Sequence, residues 1–132
     1  MAIVAGVAAT IALRALLPPH QKLNSTPVVR AALDDPGSPA FARPGADVTL
    51  VVFTDYQCPI CRATEPALDR ALAEDPRVRV IYKDWPILGE RSRTAARAAL
   101  AAQRQGRYRE LHAAMMRSRR PLDPAAIADL AR

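Results

Sequence analysis

The sequence predicts an α/β domain: a single β–α–β unit whose second strand runs into a wholly helical stretch. Three observations carry this. Val48-Thr49-Leu50-Val51-Val52-Phe53 is short, apolar and β-branched, as a strand covered on both faces should be. From Thr64 onward the pattern becomes helical, with Leu68 and Leu72 one turn apart. A second strand-like run, Val78 to about Lys83, follows the helix-ending pair Asp75-Pro76. Two parallel strands joined by one helix are expected to form a right-handed crossover.

Taken in order, the chain divides at 19 and 46. Ala2 to Leu13 is almost purely small or apolar, and Arg14 and four more apolar residues precede Pro19. About twelve apolar residues suit a signal-peptide core better than a full span. No convincing A-x-A site follows, so residues 1–19 are expected to be an uncleaved hydrophobic anchor, with a cleaved signal as the alternative. Arg14, Lys22 and Arg30 follow the apolar run and none precedes it; on these residues alone the positive-inside rule keeps the domain in the cytoplasm, and a basic stretch upstream of Met1 would reverse that. Residues 20–46 are rich in Pro, Gly, Ser and Asp, which predicts a linker with turns and one short helix around Val29 to Leu33.

The folded part is expected over 47–132. Its first strand leads through the loop Thr54 to Gln57 into a helix from Cys58 to Ala73. After Trp85-Pro86 a helix is predicted from Glu90 to Gln105, broken at Gly106. Another runs from Arg107 to Arg117 with Tyr108, Leu111 and Met115 along one face. A last helix opens at Asp123-Pro124, an N-cap followed by proline at the first helical position, and runs to Arg132.

Charge points away from one class of function. The net charge of +6 and pI near 10.1 come almost entirely from Arg spread over helical segments among many Ala and Pro. Aromatic residues are only 5%, so no basic patch is interleaved with stacking rings, and nucleic acid is not an expected partner.

The chemistry is expected at Cys58-Pro59-Ile60-Cys61, which holds both cysteines of the 132-residue chain. A C-x-x-C at a strand-to-helix junction of a β–α–β unit reads as a thioredoxin-like redox site. Cys58 falls at the helix N-terminus, where free N–H groups and the helix dipole stabilise a thiolate. Pro59 fits the first helical position, having no N–H to leave unbonded. Cys61 shares a face with Leu68 and Leu72 and is expected to be buried. Cys58 is therefore the candidate attacking thiol and Cys61 the resolving one. Two cysteines supply only half of a structural zinc site, and His20 and His112 are remote in sequence, so no metal is expected. His112 is expected as a packed or surface helix residue, not a catalytic base. A purely structural disulfide would close a tiny loop and stabilise little.

Val48 to Cys61, with Phe53-Thr54-Asp55-Tyr56-Gln57-Cys58-Pro59-Ile60-Cys61 at its centre, resembles the DsbA-like branch of the thioredoxin superfamily. It is similar to envelope proteins with an F-x-D-Y-x-C-P-x-C signature. The resemblance continues at Pro66, at Tyr82-Lys83-Asp84-Trp85-Pro86-Ile87-Leu88-Gly89, and over Ala98 to His112, which is similar to the start of the family's inserted helical subdomain. It covers about residues 47–117. It implies a thioredoxin-like α/β fold with that insertion and a thiol–disulfide oxidoreductase with Cys58 as nucleophile and Cys61 as resolving thiol. It also implies exported protein thiols or disulfides and a redox partner protein as partners, no cofactor, and a place in the periplasm or cell envelope, tethered to the inner membrane.

Two departures bear on chemistry. Relatives often carry an acid six positions before the first cysteine, where this chain has Val52, and strongly oxidising members carry a His between the cysteines, where it has Pro59-Ile60. Weaker oxidising power is expected. The resemblance further implies a second half, with two antiparallel strands and a cis-proline loop, that does not follow the insertion in this sequence. The fold is thus expected to be incomplete. The alternative function is an inactive or partner-dependent membrane-anchored fragment.

Overall fold

A computed structural model of the chain describes residues 25–132. The apolar segment expected over 1–19, and the start of the stretch from 20, lie outside the described residues. Among the described residues no helix is long and apolar enough to cross a membrane. The first helix, α1, covers Pro27–Asp34. Its N-terminus is closed by Thr26, whose hydroxyl accepts from the Val29 N–H. Residues 31–132 form one compact unit.

Three strands make its sheet: β1 (Ala40–Phe41), β2 (Val48–Thr54) and β3 (Val78–Asp84), in the order β1-β3-β2. β2 and β3 are parallel, with Val52 opposite Tyr82 and Thr54 opposite Asp84. They are joined by α2 (Pro59–Glu74). The turn-rich sequence before Asp47 gives no sign of β1, which pairs antiparallel with β3 and closes its outer edge. Two residues are too few for any periodicity, so tertiary pairing alone makes this strand. Proline holds it in place: the Pro39 carbonyl accepts from the Tyr82 N–H at 2.8 Å.

β3 is the central strand, and Val80, Ile81 and Tyr82 are all buried. Val80 and Tyr82 belong to the main core on one face. On the other, Arg79 donates to the Leu33 carbonyl and Lys83 pairs with Asp35 at 2.8 Å. Among the described residues β2 is the edge strand opposite β1, with Val48, Leu50 and Phe53 exposed, Phe53 packing edge-on against exposed Trp85.

Three helices follow, α3 (Glu90–Gln103), α4 (Tyr108–Arg117) and α5 (Pro124–Leu130). α3 buries Ala95, Ala96, Ala99 and Ala102, small side chains that let its backbone sit close against its neighbours. It ends earlier than the sequence predicts because Gly106, at φ +70°, closes it. Arg107 N–H bonds to the Ala102 carbonyl and Gly106 N–H to that of Gln103, a Schellman ending that needs a left-handed residue. α4 buries Tyr108, Leu111, His112, Met115 and Met116, a helical stripe that includes the three residues predicted. α5 opens as predicted, with the Asp123 carboxylate accepting from the Ala126 N–H at 2.8 Å, but ends at Leu130. The core lies between the Val80–Tyr82 face and these helices, joined by Leu122, Ile127 and Tyr56.

Candidate active site

The two cysteines stand where the chain turns from β2 into α2. Cys58 is the N-cap of α2, with extended backbone, and Pro59 takes the first helical position. Its sulfur accepts from the Cys61 N–H at 3.4 Å, the role an N-cap oxygen usually fills. Both thiols are free and half-buried. Cys61 packs against the core beside Leu68 and Leu72, as expected, but it is not fully buried: it lies on the first turn, at the rim of the sheet.

Their environments differ in sign. The Cys61 thiol and then the Cys61 N–H, both bonding to Cys58 Sγ, hold the Cys58 thiol below the ordinary cysteine value. Burial, and then the bond it gives to Cys58, push the Cys61 thiol up. The Asp55 N–H and Thr54 hydroxyl partly offset this for Cys61. The pair thus has one thiol inclined to ionise and one inclined to keep its proton.

The loop before Cys58 is fastened by Asp55, which is buried. Its Oδ1 accepts from the Gln57 N–H at 2.8 Å, and its Oδ2 from the N–H groups of Ile87 and Leu88 at 2.9 and 3.1 Å. Its carbonyl accepts from the Cys58 N–H at 3.0 Å. One residue therefore ties the cysteine loop to the segment after β3.

Behind the pair lies a buried polar network that sequence reasoning missed. Glu65, one turn after Cys61, is only 6% exposed, and His112 in α4 only 2%. Glu65 Oε1 accepts from the Tyr82 hydroxyl at 3.2 Å and lies 3.0 Å from His112 Nε2. His112 Nδ1 lies 2.9 Å from the Tyr56 hydroxyl, which is 3.4 Å from that of Tyr108. The Tyr108 hydroxyl donates to Asp84 Oδ1 at 2.9 Å. Asp84 Oδ2 is buried without a partner, and burial pushes this carboxyl up. Burial likewise raises the phenols of Tyr56, Tyr82 and Tyr108. His112 is therefore a packed residue, in contact with Tyr56, Tyr82 and Tyr108 rings. Val52 packs against the core, and the acid this sheet turns toward the network is the half-buried Asp84 on the neighbouring strand. The only signal for the network in the sequence is Glu65 at one turn from Cys61, a polar residue on the apolar face of α2.

The chain belongs to the DSBA-like thioredoxin domain family, whose model matches residues 49–132. Among solved structures it is similar to a thioredoxin-like oxidoreductase from Silicibacter pomeroyi, with 40% identity and a TM-score of 0.75 over 83% of this chain and 61% of that one. A periplasmic thioredoxin-like protein from Salmonella enterica serovar Typhimurium matches at 34% identity and a TM-score of 0.75, covering 83% of this chain and 64% of the other. Among curated proteins, a Na(+)/H(+) antiporter of Salinispora tropica is 34% identical over 82 residues, 61% of this chain and 13% of the antiporter. The chain thus spans less than two thirds of both structures and a small part of the antiporter.

Proposed function

We propose that the chain is a thiol–disulfide oxidoreductase working through Cys58 and Cys61 on proteins outside the cytoplasm. The observation that carries this is geometric: two free, half-buried thiols on the first turn of α2, with Cys58 as its N-cap and Cys58 Sγ accepting from the Cys61 N–H at 3.4 Å, and the opposite bias of the two thiols agrees with it. The Cys58 thiolate attacks a substrate disulfide, forming a mixed disulfide and releasing one substrate thiolate. Cys61 gives up its proton and attacks Cys58 Sγ, closing the Cys58–Cys61 disulfide and releasing the second. Two electrons pass to the substrate, and the reverse sequence oxidises a dithiol. Electrons stay on sulfur throughout, so the reading calls for a redox partner protein and no cofactor. A periplasmic place is supported by the Salmonella neighbour, described as periplasmic. Tethering to the inner membrane rests on the apolar 1–19 sequence.

Alkylation rates against pH for Cys58→Ser and Cys61→Ser test the roles. Cys58 is expected to titrate below the free-cysteine value of about 8.5 and Cys61 above it. Faster labelling of Cys61 at neutral pH overturns the assignment. A second reading, a form that folds or acts only with a partner, is favoured by one observation: among the described residues β2 pairs on one edge only. Cooperative unfolding of the purified chain, together with turnover of a disulfide substrate, counts against it.

A further inference from the structure

Asp55 makes main-chain bonds to both segments that flank the cysteine pair. Both its oxygens are taken, by the N–H groups of Gln57, Ile87 and Leu88, and its carbonyl receives the Cys58 N–H. A carboxylate held by three N–H donors cannot rotate away from the thiol site, and it is 4% exposed, so solvent screens it poorly. Resting on the thiol–disulfide reading above, we infer that Asp55 is the positioning residue of the site, a fixed negative charge that couples the Cys58 loop to the 86–88 segment and restrains the oxidising power of the pair.

The restraint follows from charge. A fixed anion in the residue whose carbonyl receives the Cys58 N–H disfavours a second anion on Cys58 Sγ; its influence is smaller than that of the Cys61 bonds that lower this thiol, and opposite in sign. A less stable thiolate makes the reduced form less stable, which weakens the pair as an oxidant. Asp55 thereby acts in the same direction as the Pro59-Ile60 dipeptide, which has no cation to stabilise the thiolate. It also sets where Ile87 and Leu88, both exposed, stand relative to Cys58.

The test is Asp55→Asn in the full chain, read by the pH profile of Cys58 alkylation and by the redox equilibrium of the pair with glutathione. The amide keeps an acceptor oxygen and removes the charge. The thiolate fraction of Cys58 below its midpoint is expected to rise about threefold, a shift of about half a pH unit, and the equilibrium to move toward the reduced pair. Amide exchange at Ile87 or Gln57 should quicken in the same variant, because one end of the side chain no longer accepts. Asp55→Ser, which removes the charge and keeps one acceptor, must move the Cys58 profile in the same direction and serves where the amide variant does not fold. Asp123→Ala, which removes the α5 N-cap, is the control: it lowers stability and leaves the Cys58 profile in place. An unchanged Cys58 profile in folded Asp55→Asn or Asp55→Ser overturns the inference while the wild-type asymmetry stands. A wild-type chain in which Cys58 labels no faster than Cys61 fails the thiol reading itself.

Discussion

The first turn of α2 and the turn after it behave as two different places. Cys58 and Cys61 sit at a rim, half-buried, and their polar needs are met locally: Cys58 Sγ by the N–H three residues on, the loop by Asp55. Glu65, one turn further, is buried and is satisfied only by Tyr82 and His112, which arrive from β3 and α4. Chemistry that needs access and a dipole is built from neighbours in sequence. A dry polar cluster has to be built from residues far apart, because each buried group needs a partner and the local backbone is already engaged in the helix. Locally satisfied thiols and a long-range polar cluster thus stand within eight residues of one another, from Cys58 to Glu65.

The largest test of that contrast is Glu65→Ala. It leaves His112 Nε2 and the Tyr82 hydroxyl unpartnered in the core, and each buried polar group so stranded costs about 1–3 kcal/mol. Cys58→Ser, by contrast, exchanges one N-cap acceptor for a preferred one and should change stability by less than about 1 kcal/mol. Denaturant unfolding of both variants measures it; equal losses would erase the distinction between rim and interior.

A smaller effect is expected at the far end of the network. Tyr108→Phe removes the donor to Asp84 Oδ1 and leaves both oxygens of that carboxylate unpartnered, at a cost of about 1–3 kcal/mol. Unfolding midpoints for Tyr108→Phe and wild type check it, and a loss below experimental error would show that the hydroxyl is dispensable.

The smallest effect is one of pH. Burial raises Asp84 in the folded state, so above the unfolded aspartate value of about 3.9 the folded chain holds a proton that the unfolded chain has lost. Stability from this group is full below that value and is lost as pH rises through the folded one. Asp35 works in the opposite sense: hydrogen bonds led by Lys83 pull it down to about 2, so its contribution is present at higher pH and lost as pH falls toward that value. Asp84→Asn should flatten the decline of stability with rising pH while leaving in place the acid limb, to which the lowered Asp35 and Asp75 both contribute. Identical pH profiles for wild type and Asp84→Asn would remove Asp84 from the account.

What the amino-acid order determined is what nearest neighbours decide. The β-branched run 48–53, the Cys-Pro-Ile-Cys step onto a helix, the Tyr108, Leu111 and Met115 stripe and the Asp123-Pro124 cap are set by side-chain periodicity and capping within a few residues, and each stands where the sequence places it. The geometry of the cysteine pair was legible for the same reason, since an N-cap, a proline and a second thiol three positions on are local facts. Only the tertiary structure decided that Ala40–Phe41 is a strand, that Cys61 stays half-exposed, and that Glu65, His112, Tyr56, Tyr108 and Asp84 join in one network. Those outcomes depend on which elements meet across 17 to 56 positions of chain. A buried polar residue looks in sequence like a surface one, because the partner that makes its burial tolerable is contributed by another element of the fold.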